Sequence, residues 1–222
     1  MGARRPPVAM PLDEFRTPVT LRGRYVELVP LEPAHRDELH RAARDPEIGR
    51  FLRDPPGTSA ASVAALIALV LGHQRDGSAL AFATRRLPDG PVLGMTRYLN
   101  IDRPNRNVEI GGTWIDSAYW RTPVNTESKL LLLRHAFEEE QVRRVQLQTD
   151  LRNVRSQRAI ERLGAVREAA LRENVLLRDG YYRTSVIYSV LASEWPAVRV
   201  RLASALERPW SERPPVDSES RR

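Results

Sequence analysis

Residues 108–164 read VEIGGTWIDSAYWRTPVNTESKLLLLRHAFEEEQVRRVQLQTDLRNVRSQRAIERLG. Apolar and polar residues alternate over 107–115 and again over 144–150, so both stretches are predicted to be strands. Between them, an apolar stripe at helical spacing predicts a helix over 123–139. A shorter helix is predicted over 153–163, with a glycine directly after it as its stop signal. The segment therefore reads strand, helix, strand, helix.

The sequence on both sides of this segment adds further strands and helices. Hydrophobic periodicity and turn residues predict strands near 26–30, 80–85, 92–101, 166–176 and 182–191, and helices that begin near residues 33, 59 and 193. Mixed elements of this kind predict a single α+β domain over residues 19–207. The proline-rich ends, 1–18 and 208–222, are predicted to be a flexible arm and a disordered tail.

The composition restricts the chemistry that the chain can perform. The 222 residues contain no cysteine, which excludes a disulfide framework, a thiolate metal site and a cysteine nucleophile. The net charge is +7, and Lys129 is the only lysine among 35 basic residues. Arginine suits polyanion binding, but a biased base composition of the source genome explains the same excess. No secretory signal and no apolar run of roughly 18 residues occurs, so we expect a cytoplasmic protein without a membrane partner.

Two places in the central segment can carry chemistry, and each has a plainer explanation. Glu109 stands between apolar strand residues, where it is either a general base with a raised pKa or a solvated carboxylate paired with an arginine. Thr122-Pro123 is a typical helix start beside Arg121, which can hold a phosphate or simply face water. The four histidines show no metal-ligand spacing, so no metal site is expected.

The order of elements resembles the GCN5-related N-acetyltransferase (GNAT) fold, in which helices flank a central mixed, mostly antiparallel sheet. The more specific resemblance is to the RimJ/RimL branch of ribosomal-protein N-terminal acetyltransferases. It is carried by the segments 108–111, 119–127, 153–156 and 161–165, and it extends over about 21–195. It implies acetyl transfer from acetyl-CoA directly to a primary amine, without a covalent enzyme intermediate.

The same resemblance implies roles for particular residues. Glu109 corresponds to the proposed base, acting directly or through water, and Ser156 to the proposed acid near the thioester sulfur. The positions that correspond to cofactor-binding residues of the family are Trp114, Ile115, Arg121, Thr122, Pro123, Val124, Asn125, Thr126 and Asn153.

Three positions depart from the family's usual pattern. Pro123 replaces a glycine of the pyrophosphate loop and removes one N–H donor, whereas Asn125 replaces a small residue and adds a side-chain donor. Ile160 stands where many members carry a tyrosine acid. We therefore expect the cofactor to bind with altered details and Ser156 to be the better candidate for the acid.

The leading hypothesis is an acetyl-CoA-dependent N-acetyltransferase whose acceptor is a protein N-terminal amine or a small amine. A catalytically weak acyl-CoA sensor is a second hypothesis, favoured by the altered pyrophosphate loop. A ribosome- or RNA-associated protein is a third, favoured only by the positive charge. Contact with nucleic acid is otherwise expected only through a ribosomal substrate, and a homodimer is expected because family members often dimerise.

Overall fold

A twisted sheet of eight strands forms the centre of the protein, and the computed structural model describes residue 15 and residues 17–207. The strands are β1 Leu21–Arg22, β2 Val26–Pro30, β3 Ala79–Arg86, β4 Val92–Asp102, β5 Asn107–Ile115, β6 Arg144–Asp150, β7 Val166–Leu176 and β8 Tyr182–Leu191. The helices are α1 Arg36–Ala42, α2 Ala60–Arg75, α3 Pro123–Arg134, α4 Val154–Leu163 and α5 Trp195–Glu207. The predicted mixed α/β class with a mostly antiparallel sheet is confirmed.

The strand order is β1-β2-β3-β4-β5-β6-β8-β7, and every neighbouring pair is antiparallel except β5 and β6. These two parallel strands pair over only three residues, from Asn107 with Arg144 to Glu109 with Gln146. Beyond that point β5 stays paired with β4, and β6 stays paired with β8. The sheet therefore opens into a cleft between β5 and β6.

Helices bury both faces of the sheet, and each face has its own hydrophobic core. On one face, α3, α4 and α5 supply Leu132, Ile160 and Leu202 to the larger core. On the other face, α1 and α2 supply Leu39 and Val63 to a smaller core. Because α1 and α2 pack chiefly over β3 and β4, the smaller core lies on that half of the sheet. The part of this face formed by β6 and β8 lies beyond these two helices, and it carries polar side chains such as Gln146, Gln148 and Arg183.

Two helix boundaries differ from the sequence prediction. The helix predicted over 123–139 is α-helical only to Arg134, and residues 135–139 form a π-helical turn in which the Glu140 N–H donates to the His135 carbonyl at 3.0 Å. The last helix begins at Trp195 and not at Ser193. At residues 135–139 the apolar spacing is as expected, and only the step of the backbone hydrogen bonds changes, which that spacing does not specify. Before the last helix, residues 192–194 form a turn in which the Glu194 N–H donates to the Leu191 carbonyl at 2.9 Å.

A buried carboxylate ties α3 to the start of the sheet. Glu127 accepts hydrogen bonds from the backbone N–H groups of Arg24, Tyr25 and Val26 at 2.8, 2.7 and 2.8 Å. Gly23 is required beside it, because a Cβ there would lie 2.4 Å from the Glu127 carboxyl carbon. This carboxylate holds the turn between β1 and β2, on the α3 face of the sheet.

The predicted ends of the domain are only partly covered by the structure. Phe15, which falls in the predicted arm, is buried in the larger core, and its ring packs edge-on against Tyr98 with centroids 5.0 Å apart. Residues 1–14, 16 and 208–222 lie outside the described residues, so the flexible arm and the disordered tail stay predictions. The single domain proposed over 19–207 also stays a prediction.

Candidate active site

The cleft brings the predicted site residues to one edge of the sheet. Strands β5 and β6 run in parallel, so their carboxyl ends lie on the same side, and α3 and α4 begin there. A direct contact joins the two helix starts, since the Arg155 guanidinium carbon lies 3.3 Å from the centre of the Trp120 ring. Trp120 precedes Arg121, and Arg155 precedes Ser156. The structure therefore brings the proposed phosphate-binding residues close to the proposed acid.

The start of α3 combines a helix N-terminus with an exposed arginine. Thr122 is the N-cap residue, as predicted, and its hydroxyl accepts from the Val124 N–H at 3.4 Å. Pro123 occupies the first helical position, while Asn125 and Thr126 are half-buried in the first turn. Arg121 is exposed and has a left-handed backbone with φ of +66°. The helix dipole and this guanidinium both favour an anion.

Arg155 adds a second positive charge to the same place. Burial lowers its pKa below the ordinary arginine value, Asp45 and Glu47 raise it, and the neighbouring Arg121 lowers it. Arg155 stacks on Trp120, the residue before Arg121, so these two like charges lie at adjoining helix starts and repel each other. A bound phosphate between them would relieve that repulsion.

The end of β5 supplies a backbone edge and an unusual indole. Trp114 and Ile115 are both buried, and they pair with Met95 and Gly94 of β4 while their other edge faces the cleft. Within the described part of the chain, the indole Nε1 of Trp114 is buried without a hydrogen-bond partner. Backbone groups along an open strand edge can pair with an extended amide chain.

The start of α4 carries the other two predicted residues. Asn153 is the N-cap of α4, and its Oδ1 accepts from the Ser156 N–H at 3.0 Å. Its side-chain NH2 group can donate to a bound ligand. Ser156 is half-buried in the first turn, one residue after the arginine that stacks on Trp120. The capping role explains the local need for asparagine and is compatible with a second contact through its NH2.

Glu109 lies where β5 and β6 part, and neutral amides surround it. The side-chain NH2 groups of Asn100 and Gln146 donate to Oε2 at 2.9 and 3.2 Å, and that of Gln148 donates to Oε1 at 2.8 Å. Only 3% of the residue is exposed. The second explanation raised from the sequence, a solvated carboxylate paired with an arginine, is wrong, because Glu109 is buried and its hydrogen-bond donors are neutral amides.

The environment of Glu109 suits a base. Burial raises the pKa of this carboxyl above its ordinary value, and the three amide hydrogen bonds and the more distant Arg183 partly offset that rise. A carboxylate oxygen accepts about two hydrogen bonds, so Oε2 is filled and Oε1 keeps one acceptor direction. Oε1 is therefore the atom able to take a proton.

Sequence reasoning missed the amide partners of Glu109 and the stacking of Arg155. The alternation of 144–150 did show that Gln146 and Gln148 share one polar face of β6. Their contact with Glu109 depends on the register of β5 against β6, which no local pattern specifies. Arg155 and Trp120 are 35 positions apart, and only the parallel pairing of β5 and β6 brings them together.

The described residues also bear on the binding of a metal ion and on the crossing of a membrane. Among residue 15 and residues 17–207, no three histidine or acidic side chains are arranged to hold a metal ion. None of the helices in these same residues is long and apolar enough to cross a bilayer.

Comparison with known proteins places this architecture in context. The sequence profile described as "Acetyltransferase (GNAT) domain" matches residues 26–166, well over half of the chain. A Bacillus subtilis (strain 168) protein named "Putative ribosomal N-acetyltransferase YdaF" is 33% identical over 109 residues, which is 49% of this chain and 58% of that protein. The aligned region thus spans somewhat more than half of this curated relative.

Solved structures agree along most of the chain. A "putative acetyltransferase" from T. thermophilus is 40% identical, with a TM-score of 0.78, over 86% of this chain and 98% of that one. Mycobacterium smegmatis RimJ, solved "in complex with CoA-disulfide", is 20% identical, with a TM-score of 0.72, over 84% of this chain and 91% of that one. At that identity the likeness to RimJ concerns the fold alone.

Proposed function

Since the chain belongs to the acetyltransferase (GNAT) family and is an acetyltransferase, we propose that it transfers the acetyl group of acetyl-CoA directly to a primary amine. The observation that carries this proposal is the position of Glu109, a buried carboxylate with one open acceptor direction at the point where β5 and β6 part. The first acceptor class to consider is a protein N-terminal amine. The name of the curated relative YdaF points to ribosomal protein substrates.

The residues along the cleft fit acetyl-CoA. We assign the pyrophosphate to the start of α3, where Arg121 and the N-terminal N–H groups of the helix meet Arg155 from α4. The open edge of β5 at Trp114 and Ile115 suits the amide-rich pantetheine arm, and we assign a second contact with this arm to the NH2 group of Asn153 at the start of α4. Pro123 leaves the helix start with one donor fewer, and Arg155 offers a charge that compensates for it.

The proposed chemical step begins with the acceptor amine, which is protonated near neutral pH. Glu109 removes one proton at Oε1, directly or through a water molecule, and the neutral amine attacks the acetyl carbonyl. Backbone N–H groups on the open edge of β5 stabilise the negative charge that develops on the carbonyl oxygen. The tetrahedral intermediate then collapses: the C–S bond breaks, the nitrogen releases its second proton, and the departing CoA thiolate, oriented by Ser156, takes up that proton directly or through the Ser156 hydroxyl. Direct transfer is consistent with a chain that contains no cysteine nucleophile.

A catalytically weak acyl-CoA sensor is the alternative that a specific observation favours. Pro123 removes an N–H donor at the helix start, as the sequence showed. A sensor would bind CoA without releasing free thiol in the presence of any amine, whereas an enzyme releases thiol in proportion to the acetylated amine. The homodimer expected from the family resemblance stays a prediction.

The decisive variant is Glu109→Gln, which keeps the shape of the side chain and removes its basicity. We expect turnover to fall by roughly 10²- to 10⁴-fold, the usual contribution of general base catalysis. The affinity for acetyl-CoA should stay within about twofold, because Glu109 faces the acceptor side of the cleft. In the wild type, burial raises the pKa of Glu109, so kcat/KM should decline on the acidic side at a higher pH than for an ordinary glutamate. Thiol release measures turnover and the pH dependence of kcat/KM, and calorimetry measures the affinity for CoA.

Glu127→Gln is the matched control. Glu127 is also a buried glutamate that accepts three hydrogen bonds, but its donors are backbone N–H groups of the turn at residues 24–26. Its substitution should lower the melting temperature and leave the turnover of the folded protein unchanged. Equal turnover of the Glu109→Gln and wild-type proteins at their pH optima would exclude Glu109 as the base.

A further inference from the structure

Arg97 is a buried cation with unused hydrogen-bonding capacity. It lies on β4 opposite Gly111 of β5, and only 9% of its side chain is exposed. Its Nη2 donates to Oδ2 of Asp54 at 3.2 Å. Its Nε and Nη1 atoms are buried, and neither has a hydrogen-bond partner within residues 15 and 17–207. Leaving such donors unpaired is costly, so an acceptor from outside the described residues would stabilise this guanidinium.

Two consecutive glycines of β5 place Arg97 beside the proposed base. A Cβ on Gly111 would lie 3.1 Å from Oε1 of Glu109, and a Cβ on Gly112 would lie 2.6 Å from Nε of Arg97. Gly112 also has φ of +55°, which turns the backbone at this point. Glu109 and Arg97 therefore lie over neighbouring residues of β5, just beyond the last pair that β5 forms with β6.

The loop that pairs with Arg97 also borders an open cavity. Asp54 is followed by Pro55, which belongs to the wall of a cavity of about 480 Å³. The loop after α1 forms one wall, and Leu177, Arg178 and Asp179 from the turn between β7 and β8 form the other. The Arg97–Asp54 pair therefore connects the loop that lines this cavity to the sheet.

The buried charges on this face disfavour an acceptor with several positive charges. Arg183 of β8 donates from Nε to the Ser185 hydroxyl at 2.8 Å and from Nη2 to Oε1 of Gln148 at 2.9 Å. Gln148 in turn donates to Glu109, so a second guanidinium lies one side chain away from the base. Two buried arginines near one base repel a polyamine and attract an electron-rich oxygen.

We propose that Arg97 recognises the acetyl acceptor by donating from Nε or Nη1 to a carbonyl or carboxylate oxygen on the carbon next to the amine-bearing carbon. The acceptor class is then an α-amino carbonyl compound, either a peptide with a free N-terminus or a free amino acid. Both sources present the same amine and a neighbouring carbonyl or carboxylate oxygen. This assignment rests on the proposed N-acetyltransferase function and specifies its substrate class.

The test compares kcat/KM for three acceptors in the full-length protein: a peptide with N-terminal serine, free serine, and 2-amino-1,3-propanediol, which replaces the carboxylate by a CH2OH group. The wild type should prefer one of the first two over the amino diol, and the preferred one identifies the source of the oxygen. The Arg97→Gln variant should lose about 10- to 100-fold for the preferred acceptor, as expected for a charge-assisted hydrogen bond, and less than about threefold for the amino diol.

Arg85→Gln is the matched control, because Arg85 on the neighbouring strand β3 also has a buried Nε without a partner in the described chain, but it lies beside His35. The Arg85→Gln variant should leave the preference for the carbonyl-bearing acceptor over the amino diol, measured as kcat/KM, unchanged. If Arg97→Gln does not fold, Arg97→Lys serves instead, because a lysine keeps the positive charge near Asp54 and offers fewer donors. The lysine variant should also lose most of the preference.

The possible outcomes separate this proposal from the proposed function. Equal losses of kcat/KM for all three acceptors, or no loss at all, would overturn the role of Arg97 while the acetyltransferase function stands. A wild type without preference for the carbonyl-bearing acceptors would overturn it in the same way. A wild type that releases thiol only with amines lacking a neighbouring carbonyl would overturn the role of Arg97 alone, and one that binds acetyl-CoA but releases no thiol with any primary amine would overturn both.

Discussion

Arg121 has a left-handed backbone at the head of α3, although it is not a glycine. Such a conformation costs an L-residue roughly 1 kcal/mol relative to glycine. Its exposed guanidinium is the element of the proposed phosphate site that glycine would lack. The residue therefore combines a small loss of stability with a gain in anion binding.

Arg121→Gly should separate these two effects. We expect the free energy of unfolding to rise by up to about 1 kcal/mol, because the strain disappears. The dissociation constant for CoA should rise by roughly 5- to 20-fold, since one charge-assisted contact is lost. Urea unfolding and calorimetry measure the two quantities. Arg106→Gly controls for net charge, because Arg106 also has a positive φ but lies before the opposite end of β5. An unchanged CoA affinity in Arg121→Gly would contradict the assigned phosphate site.

The individual residues differ in how far the sequence specified their roles. Thr122 and Asn153 were predicted as helix starts and are N-caps in the structure, because capping depends only on the next three residues. The amide partners of Glu109 could not be predicted in this way. They lie on β4 and β6, and their contact depends on the register of three strands. The roles assigned to Glu109 and Ser156 stay predictions until variants are measured.

At the scale of the elements, β5 carries both the proposed base, Glu109, and the proposed cofactor-binding positions Trp114 and Ile115. The sequence predicted its limits and those of β6 correctly, because both strands have one apolar and one polar face. The π-helical turn at residues 135–139 was missed, since the apolar spacing there is compatible with either kind of helix. The three-residue pairing of β5 with β6 was not visible either, because alternation reveals a strand and not its partner.

Gly94 controls how closely β4 approaches the end of β5. A Cβ on Gly94 would lie 2.1 Å from the Trp114 carbonyl oxygen and 2.9 Å from the Ile115 Cα, both backbone atoms. Gly94→Ala should therefore push the strands apart, lower the free energy of unfolding by about 2–4 kcal/mol and weaken CoA binding. Chemical unfolding and calorimetry at a temperature where the variant is folded are the measurements. The Gly72→Ala variant of α2 is the control, because its added Cβ meets only the end of Arg75 at 3.8 Å. Similar stability of both variants would contradict this close contact.

At the scale of the whole molecule, the only lysine of an arginine-rich chain is buried between α3 and the sheet. The Nζ of Lys129 donates to the Thr113 hydroxyl at 2.5 Å and lies 3.4 Å from that of Thr96. Burial lowers its pKa from 10.5 to about 7. Arginine could not occupy this place as a neutral group, because its guanidinium stays protonated in proteins. Lys129 therefore makes the stability of the entire fold depend on pH.

The direction of that dependence follows from the two pKa values. Between about pH 7 and pH 10.5 the unfolded chain carries a proton on Lys129 that the folded chain does not bind. Protonation therefore favours unfolding, so stability should rise with pH across this interval, while the penalty is complete below pH 7. The shift corresponds to a change of about 3–5 kcal/mol over the interval, as an upper range. Other titrating groups contribute to the absolute curve, but they cancel when the wild type is compared with a single variant.

Lys129→Met is the variant that isolates this contribution, because methionine fills a similar volume and carries no charge. The hydroxyls of Thr96 and Thr113 lie 2.7 Å apart and can bond to each other once the amine is gone. We expect the variant to exceed the wild type in free energy of unfolding by a few kcal/mol at pH 7, and the difference to shrink steadily toward pH 10.5. Urea unfolding at unit steps of pH measures the difference. A difference that stays constant from pH 7 to pH 10 would mean that Lys129 keeps its ordinary pKa in the folded protein, and a wild type more stable than the variant at pH 7 would mean that the buried amine stabilises the contact between α3 and the sheet.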